Sequence, residues 1–464
     1  MQVIAHGTEP AAPIVLHPDN PHYFLWRGRP TILITSGEHY GAVLNLDFDY
    51  KTYLETLQKD GLNHTRTWVG SYREVPASFG ITDNTLAPLP GKYICPWIRS
   101  NTPGESDGGH KFDLTRWDEA YFARLRDYMQ TAQRCGVVVE LNFFCPNYKD
   151  ELWKVSPMNA VNNINGIGNC DMDEAYTLKH QDLLDIQQAL VRKVVTEMRD
   201  FDNLYYEVCN EPYFGGVTMD WQTRIVETIV EAEQNFPQRH LISLNIANGR
   251  QKVEDPHPAV SIFNFHYCYP PDTVGLNYQL NRVIGENETG FRGKDDRFYR
   301  TEGWDFIIAG GALYNNLDYS FTRTNATGTF RDYSSPGGGN PTLRNQLKIL
   351  SDFIHGFDFL PMQPRDEIIK QVNTTGLTAR ALVESGKQYA IYLSMPQKRD
   401  SQSPEETSTE LVIELPEGKY TAEWLNTKTG AVESRQQISH AGGERHLMSP
   451  SFIVDVALRI VKSD

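Results

Sequence analysis

In the stretch YYEVCNEPYFGG, residues 205–216, an apolar run that begins one residue earlier at Leu204 and reaches Cys209 stops at Asn210-Glu211-Pro212. A run of this length and composition reads as a buried strand, and strands commonly end in polar loop residues. The notable feature is which residues form the exit: an acid between an amide and a proline, one step past a strand. Glu211 is either a solvated loop carboxylate or an acid aimed at a substrate, and the rest of the chain decides between them.

Working outward from this strand, short apolar runs alternate with longer segments of helical period. Eight strands are expected, at about 31–36, 62–68, 137–144, 204–209, 241–246, 261–267, 282–288 and 313–320. Helices such as DYKTYLETLQKDG and DEAYFARLRDYMQTAQRCG lie between most of them, and LRNQLKILSDFIHGF follows the last. The link from the sixth strand to the seventh is only weakly helical. Eight βα units predict a (β/α)8 TIM barrel over residues 1–358, opened by a short β-hairpin, HYFLWRGRP, with its turn at Arg27-Gly28. After about Leu360 the helical pattern ends and short strands with turn signals take over, which predicts an all-β sandwich over 365–464. Residues 396–408, PQKRDSQSPEETS, read as a loop inside it, and 71–110 and 146–175 as loop insertions walling the barrel mouth.

Composition narrows the function. The 464 residues carry 44 Lys and Arg against 59 Asp and Glu, a net charge of −15 with no basic block. Nucleic acid and anionic membranes are therefore poor partners. No apolar run approaches the length of a membrane span. The expected location is the cytoplasm, or outside the cell after loss of a signal peptide absent from this sequence. Six cysteines without a CxxC pair give no disulfide framework and leave the redox compartment open. The serine-hydrolase elbow, the P-loop and the dinucleotide-binding glycine motif are all absent. Abundant Tyr, Phe and Trp suit either a ring-stacking ligand such as a sugar or a large packed barrel; Trp68, Trp97, Trp153 and Trp304 divide between those two uses.

In barrels of this type the chemistry sits at the C-terminal ends of the strands. Those ends carry Glu38 and His39, then Arg66 and Trp68, Asn142, Asn210 and Glu211, His266 and Tyr267, Glu288, and Tyr319. Glu211 follows the fourth strand and Glu288 the seventh, which face each other across the mouth. Two carboxylates about 5–5.5 Å apart suit a retaining glycosidase, one as nucleophile and the other as acid/base. The acid needs burial and a like-charged neighbour, while the nucleophile needs a partner such as Arg66 or Tyr267 to stay ionised. Glu286 rivals Glu288 as nucleophile, and strand alternation aims both inward. Glu302 is expected to open a helix, where its charge suits the helix dipole. A metal-dependent hydrolase would draw on His39, His64 and His266, but no HxH or HExxH spacing supports a ligand set.

These motifs together resemble glycoside hydrolase clan A. Asn210-Glu211-Pro212 resembles that clan's acid/base signature, Glu288-Thr289-Gly290 its strand-seven nucleophile, FNFHY its strand-six segment and NHTRTW its strand-two arginine. The layout, over residues 20–322, is similar to family 5 enzymes with a C-terminal sandwich. Asn142 stands where family 5 usually has a histidine, and LYNNLDYSF lacks the usual strand-eight tryptophan, which implies a divergent family. The resemblance implies a carbohydrate substrate, a double displacement through Glu211 and Glu288, and no cofactor. It also implies that Asn210 bonds the sugar 2-OH and that Tyr267 or Tyr269 touches the nucleophile. A non-catalytic carbohydrate-binding barrel is the alternative without chemistry.

Overall fold

The computed structural model describes residues 12–396 and 405–463. Eight parallel strands form the barrel: β1 (Leu33–Gly37), β2 (His64–Trp68), β3 (Val138–Phe144), β4 (Leu204–Cys209), β5 (Ile242–Asn248), β6 (Ile262–His266), β7 (Val283–Thr289) and β8 (Leu313–Leu317). Each lies within a few residues of its expected position. β1 pairs with β8, and the ladder continues in order down to β2. The last seam, between β1 and β2, has no regular ladder. Asn63 bridges it instead: its side-chain oxygen accepts from Ile34 N at 2.9 Å and its amide donates to Ile32 O at 2.9 Å. An amide side chain carries the same donor and acceptor as a peptide group, so it stands in for the missing backbone pair.

The helices form where apolar residues recur at helical spacing and a cap is available. Helix α1 (Tyr50–Lys59) buries Tyr50, Tyr53, Leu54 and Leu57, and Asp49 caps its start by accepting from Thr52 N. Helix α2 (Glu119–Cys135) starts at the cap Asp118 and stops at Gly136, which holds the left-handed backbone conformation that suits glycine. Helices α3 (Gln181–Met198) and α4 (Met219–Ala232) cover β3 and β4. A six-residue helix, α5 (Asp272–Asn277), extended by a 3-10 turn at Tyr278–Leu280, joins β6 to β7. Helices α6 (Asp296–Ile308) and α7 (Pro341–His355) follow β7 and β8. No helix joins β5 to β6. The irregular segment there leaves a cavity of about 570 Å³ on the outer face of β5, lined by Val226, Leu244, Ile246, Val253 and Pro256. It reaches Pro212 and Tyr213, but neither Glu211 nor Glu288 lines it.

Two local readings are corrected. The insertion after β2 is not all loop: Trp97–Pro103 and His110–Trp117 pair as an antiparallel ribbon. Glu302 does not open a helix, because α6 begins at Asp296 and places Glu302 in its middle, fully buried. At the N-terminus, Phe24–Trp26 and Arg29–Thr31 form the expected hairpin, with positive φ at both Arg27 and Gly28, and Val15–Leu16 adds a third strand.

After α7 the chain builds an antiparallel β-sandwich. Its six-stranded sheet includes Thr378–Glu384, Gln388–Ser394, Gly418–Leu425 and Asp455–Lys462, and a three-stranded sheet faces it across a core containing Ile391, Ile413, Trp424 and Leu458. The six-stranded sheet packs on α6. Trp304 stacks on Tyr392 with centroids 5.4 Å apart, and the buried Arg300 donates to Asp455 at 2.7 Å. Most of the loop expected at 396–408 lies outside the described residues. Among the described residues, no helix is long and apolar enough to cross a membrane.

Candidate active site

The barrel interior is polar from floor to mouth. Arg66 on β2 is fully buried and reaches across to three elements: Nε donates to Glu207 at 3.0 Å, Nη2 to Asn210 at 2.7 Å, and Nη1 to Glu288 at 3.3 Å. Beneath it, Asn264 and Asn287 donate to Glu140 at 2.9 and 2.8 Å, and Tyr205 donates to its other oxygen at 3.0 Å. Burial, then the charge of Glu207, pushes the Glu140 carboxyl well above the usual carboxylate range. Burial works against the charge on Arg66, but the surrounding acids outweigh it and raise its pKa further. One permanent cation thus sits under the mouth, shared between Glu207 and Glu288.

Glu288 stands above this floor at the end of β7. Tyr40 donates to one of its oxygens at 2.8 Å and Tyr267 to the other at 2.6 Å. Burial and the Glu288 charge push both phenols well up, which keeps them neutral donors. The inward aim of Glu288 depends on a slip in register. Phe265 pairs with Glu286, but the next residue, His266, pairs with Glu288, so Asn287 is skipped. The bulge lets Asn287 and Glu288 both turn inward. Glu286 turns away: it accepts from Cys268 N at 2.6 Å and lies in hydrogen-bonding range of Glu302. The expectation that Glu286 and Glu288 share a face is therefore corrected.

Glu211 faces Glu288. Tyr148 donates to it at 2.6 Å, His266 Nδ1 lies 3.1 Å from its other oxygen, and Tyr213 donates at 3.3 Å. Burial raises the pKa of Glu211, but the His266 hydrogen bond and charge, the Tyr148 donor and Arg66 together bring it below the ordinary value. His266 Nδ1 also lies 3.7 Å from Glu288, and one donor atom from each of Glu211, His266 and Glu288 falls within 4.8 Å of the others. Tyr40, Glu211 and Tyr267 all have positive φ, a conformation uncommon for residues with a side chain and concentrated at functional sites.

The structure thus brings Glu211, Glu288, Asn210, Arg66, His266 and Tyr267 into one bonded group. Trp68 joins it by stacking on Tyr40 at 5.2 Å, His39 stacks on Tyr40 at 5.5 Å, and Tyr319 lies tilted against His39 at 5.9 Å. Burial opposes protonation of His39, but Glu74, 3.4 Å away, prevails and raises its pKa. Asn142 lies on the inner face of β3, and its amide is turned onto Phe144 O at 2.9 Å. Glu38 is not brought into the group: its carboxylate accepts from Gly41 N and Ala42 N, each at 3.1 Å, and burial pushes its pKa up to about 7. His64 bonds Tyr205 on the barrel floor, and burial takes its pKa down to about 3, so the three histidines do not converge. Trp97, Trp153 and Trp304 are buried, away from the bonded group.

Two contacts of the carboxylates escape a reading of strand ends. Tyr148 and Tyr213 come from the loops after β3 and β4, whereas Tyr40 stands with Glu38 and His39 at the end of the first strand, where the sequence shows it. The available signal is position alone, since each aromatic lies within four residues of a strand end.

No family model matches the sequence, and no curated relative matches it. Solved structures do match in fold. A family 5 glycoside hydrolase from Bacteroides vulgatus ATCC 8482 superposes with a TM-score of 0.63 at 13% identity, covering 98% of this chain and 95% of its own. A structure described as a glycoside hydrolase gives 0.63 at 14% identity, covering 97% of each chain. A protein from the same Bacteroides strain, proposed to be a glycoside hydrolase, gives 0.66 at 13% identity, over 98% of this chain and 83% of its own. At such identities the likeness speaks for architecture: this chain has the barrel-plus-β-domain fold found in glycoside hydrolases, family 5 of clan A among them.

Proposed function

We propose that this chain is a retaining glycoside hydrolase acting on a β-linked sugar. The observation that carries the reading is the opposed pair Glu211 and Glu288, with carboxylate oxygens within 4.8 Å at the mouth of the barrel. That separation suits direct attack by one carboxylate, without room for a water between it and the sugar. Glu288 is the nucleophile: an Oε attacks the anomeric carbon while Arg66, Tyr40 and Tyr267 hold the carboxylate in place. The bond to the leaving oxygen breaks, and Glu211 gives that oxygen a proton, which it must first take up, since His266, Tyr148 and Arg66 favour its ionised form before substrate binds. In the second half Glu211 takes a proton from water, the water oxygen attacks the anomeric carbon, and Glu288 leaves as carboxylate. Tyr148 and His266 orient Glu211 and set its charge between the two halves. Asn210 is tied to Arg66 and Tyr148, and its other amide N–H, held weakly by Cys145 Sγ at 3.6 Å, is the one a sugar hydroxyl would take over.

The test is hydrolysis of a panel of aryl glycosides and β-linked oligosaccharides by wild type, Glu211→Gln and Glu288→Gln. Cleavage by wild type alone supports the reading, while an inert wild type that still binds sugars returns the site to a binding role. The spacing of Glu211, His266 and Glu288 also suits a metal hydrolase. Against that use, both Glu288 oxygens already accept phenol protons. A chelator separates the two: activity unchanged by dialysis against it favours the two-carboxylate reading, and loss restored by one divalent metal favours the other.

A further inference from the structure

The surroundings of the two carboxylates differ in what they leave open. The Glu288 and Glu211 side chains are only 7% and 10% exposed. The loops after β2, β3, β4, β7 and β8 are joined to one another around them. Between the β2 and β8 loops, Thr82 N donates to Ser334 O at 2.9 Å, and Arg323 pairs with Asp83 at 2.6 Å. Between the β7 and β8 loops, Gly293 N donates to Pro336 O at 3.1 Å. Gly337 there lies so close to Gly290 that an added Cβ would meet its carbonyl oxygen at 1.6 Å. Between the β2 and β3 loops, Arg73 donates to Val155 O at 3.0 Å, and between the β3 and β4 segments Thr218 N donates to Tyr176 O at 3.1 Å. A polysaccharide running through the site would have to cross one of these joined walls.

Inside the wall, on the Glu288 side, His39 Nδ1, Trp68 Nε1 and the Tyr319 hydroxyl are buried without a hydrogen-bond partner among the described residues. Buried polar atoms of this kind call for partners, and the hydroxyls of a sugar ring supply them. On the Glu211 side the exposed groups are rings. Phe79 and Phe214 flank Tyr148, with centroids 5.6 and 5.9 Å away, and Tyr213 adjoins Phe214. Phe79 is 39% exposed and Phe214 44%. A hydrogen-bonding half, closed except at Phe291, whose exposed ring packs on Tyr267 at 5.6 Å, thus lies around the nucleophile, and a more open half with three exposed rings around the acid that serves the leaving group.

From this division we infer that the site is a blind pocket for one terminal sugar residue, with the aromatic rim receiving what that residue is attached to. The inference rests on the glycosidase reading and adds the substrate class: chain ends or single-sugar glycosides, cut one residue at a time. The test uses wild-type protein on β-linked gluco-, manno- and galacto-oligosaccharides, each plain or capped by a 4,6-O-benzylidene group on the non-reducing terminal residue. Products are followed by chromatography from the first minutes. The expected result is monosaccharide as the only small product and no cleavage of capped chains. Early release of di- or trisaccharides, or cleavage inside a capped chain, overturns the pocket while leaving the glycosidase reading intact. If no substrate is cleaved, the glycosidase reading fails separately and calorimetry decides the pocket. Binding of a methyl glycoside with no binding of the capped chain upholds it, and equal binding of both overturns it.

Discussion

Glu286 and Glu288 are the same residue type, two positions apart on one strand, and both are buried. Their surroundings have little else in common. Glu288 faces the barrel axis, held by two phenols and a guanidinium. Glu286 faces α6, where burial and the neighbouring Glu302 favour a neutral carboxyl. Its Oε2 and Glu302 Oε1 have no conventional donor among the described residues, as expected where two carboxyl groups share one proton. A single skipped residue at Asn287 separates a candidate nucleophile from a structural acid. Charge at a site is thus set by which donors a side chain is turned toward, and the turn here is a one-residue bulge.

The sharpest way to break this comparison is to neutralise each acid. Glu288→Gln is expected to lower kcat/KM by more than about 10⁴-fold, since the attacking group is gone. Glu286→Gln is expected to stay within about three-fold of wild type, because an amide can donate to Glu302 and accept from Cys268 N as the carboxyl does. Equal losses in the two variants would remove the distinction. Glu211→Gln comes next, with a loss of about 10²–10⁴-fold on substrates with poor leaving groups. A much smaller loss on aryl glycosides, which need little protonation, would assign it the acid role.

Smaller effects sharpen the picture around the pair. Tyr267→Phe removes a hydrogen bond to a charged group, worth about 1.5–3 kcal/mol, so kcat is expected to fall by about 10–100-fold. An unchanged kcat would mean that Tyr40 and Arg66 suffice to hold Glu288. His266→Asn acts on pH dependence. In wild type, burial pushes Glu211 up but His266 leads the groups that bring it down. Removing that histidine should raise the Glu211 pKa, so the alkaline limb of kcat/KM moves to higher pH. A limb that stays or moves to lower pH would show that His266 does not govern the acid.

The fold was legible because its signal is repeated: eight apolar strands of similar length leave few other architectures, and an error at one boundary does not alter the count. Asn210, Glu211 and Arg66 were legible because strand ends converge in a barrel whatever the loops do. Glu38 shows the limit of that logic, since a strand-end acid can equally well tie down the backbone of its own loop. Tyr148 and Tyr213 were not legible, because a loop residue reaches the site by a path that periodicity does not describe. The bulge at Asn287 was hidden for another reason: GENET alternates without interruption, and the slip appears only when β7 is laid against β6.

The smallest expected effect tests the other half of the comparison, through stability. Glu286 and Glu302 both lie above the ordinary carboxyl value of 4.5, chiefly through burial. Around them, Thr289 donates to Glu302 at 3.1 Å, Arg292 lies 3.5 Å from it, and the Cys268 thiol is pushed up by burial and both acids. Below 4.5 the folded and unfolded chains both hold these protons. Above it the unfolded chain releases protons that the folded chain keeps, so this pair makes stability fall as pH rises toward the folded pKa. Each unit of upward shift is worth about 1.4 kcal/mol. Glu286→Gln leaves one acid to titrate, now with an amide donor beside it. Its Tm relative to wild type should therefore climb as pH rises above the ordinary carboxyl value of 4.5, by a few degrees for a chain of this size. A difference that stays flat above that value would mean the two carboxyls do not share a proton, and Glu286 would then need another reason to be neutral.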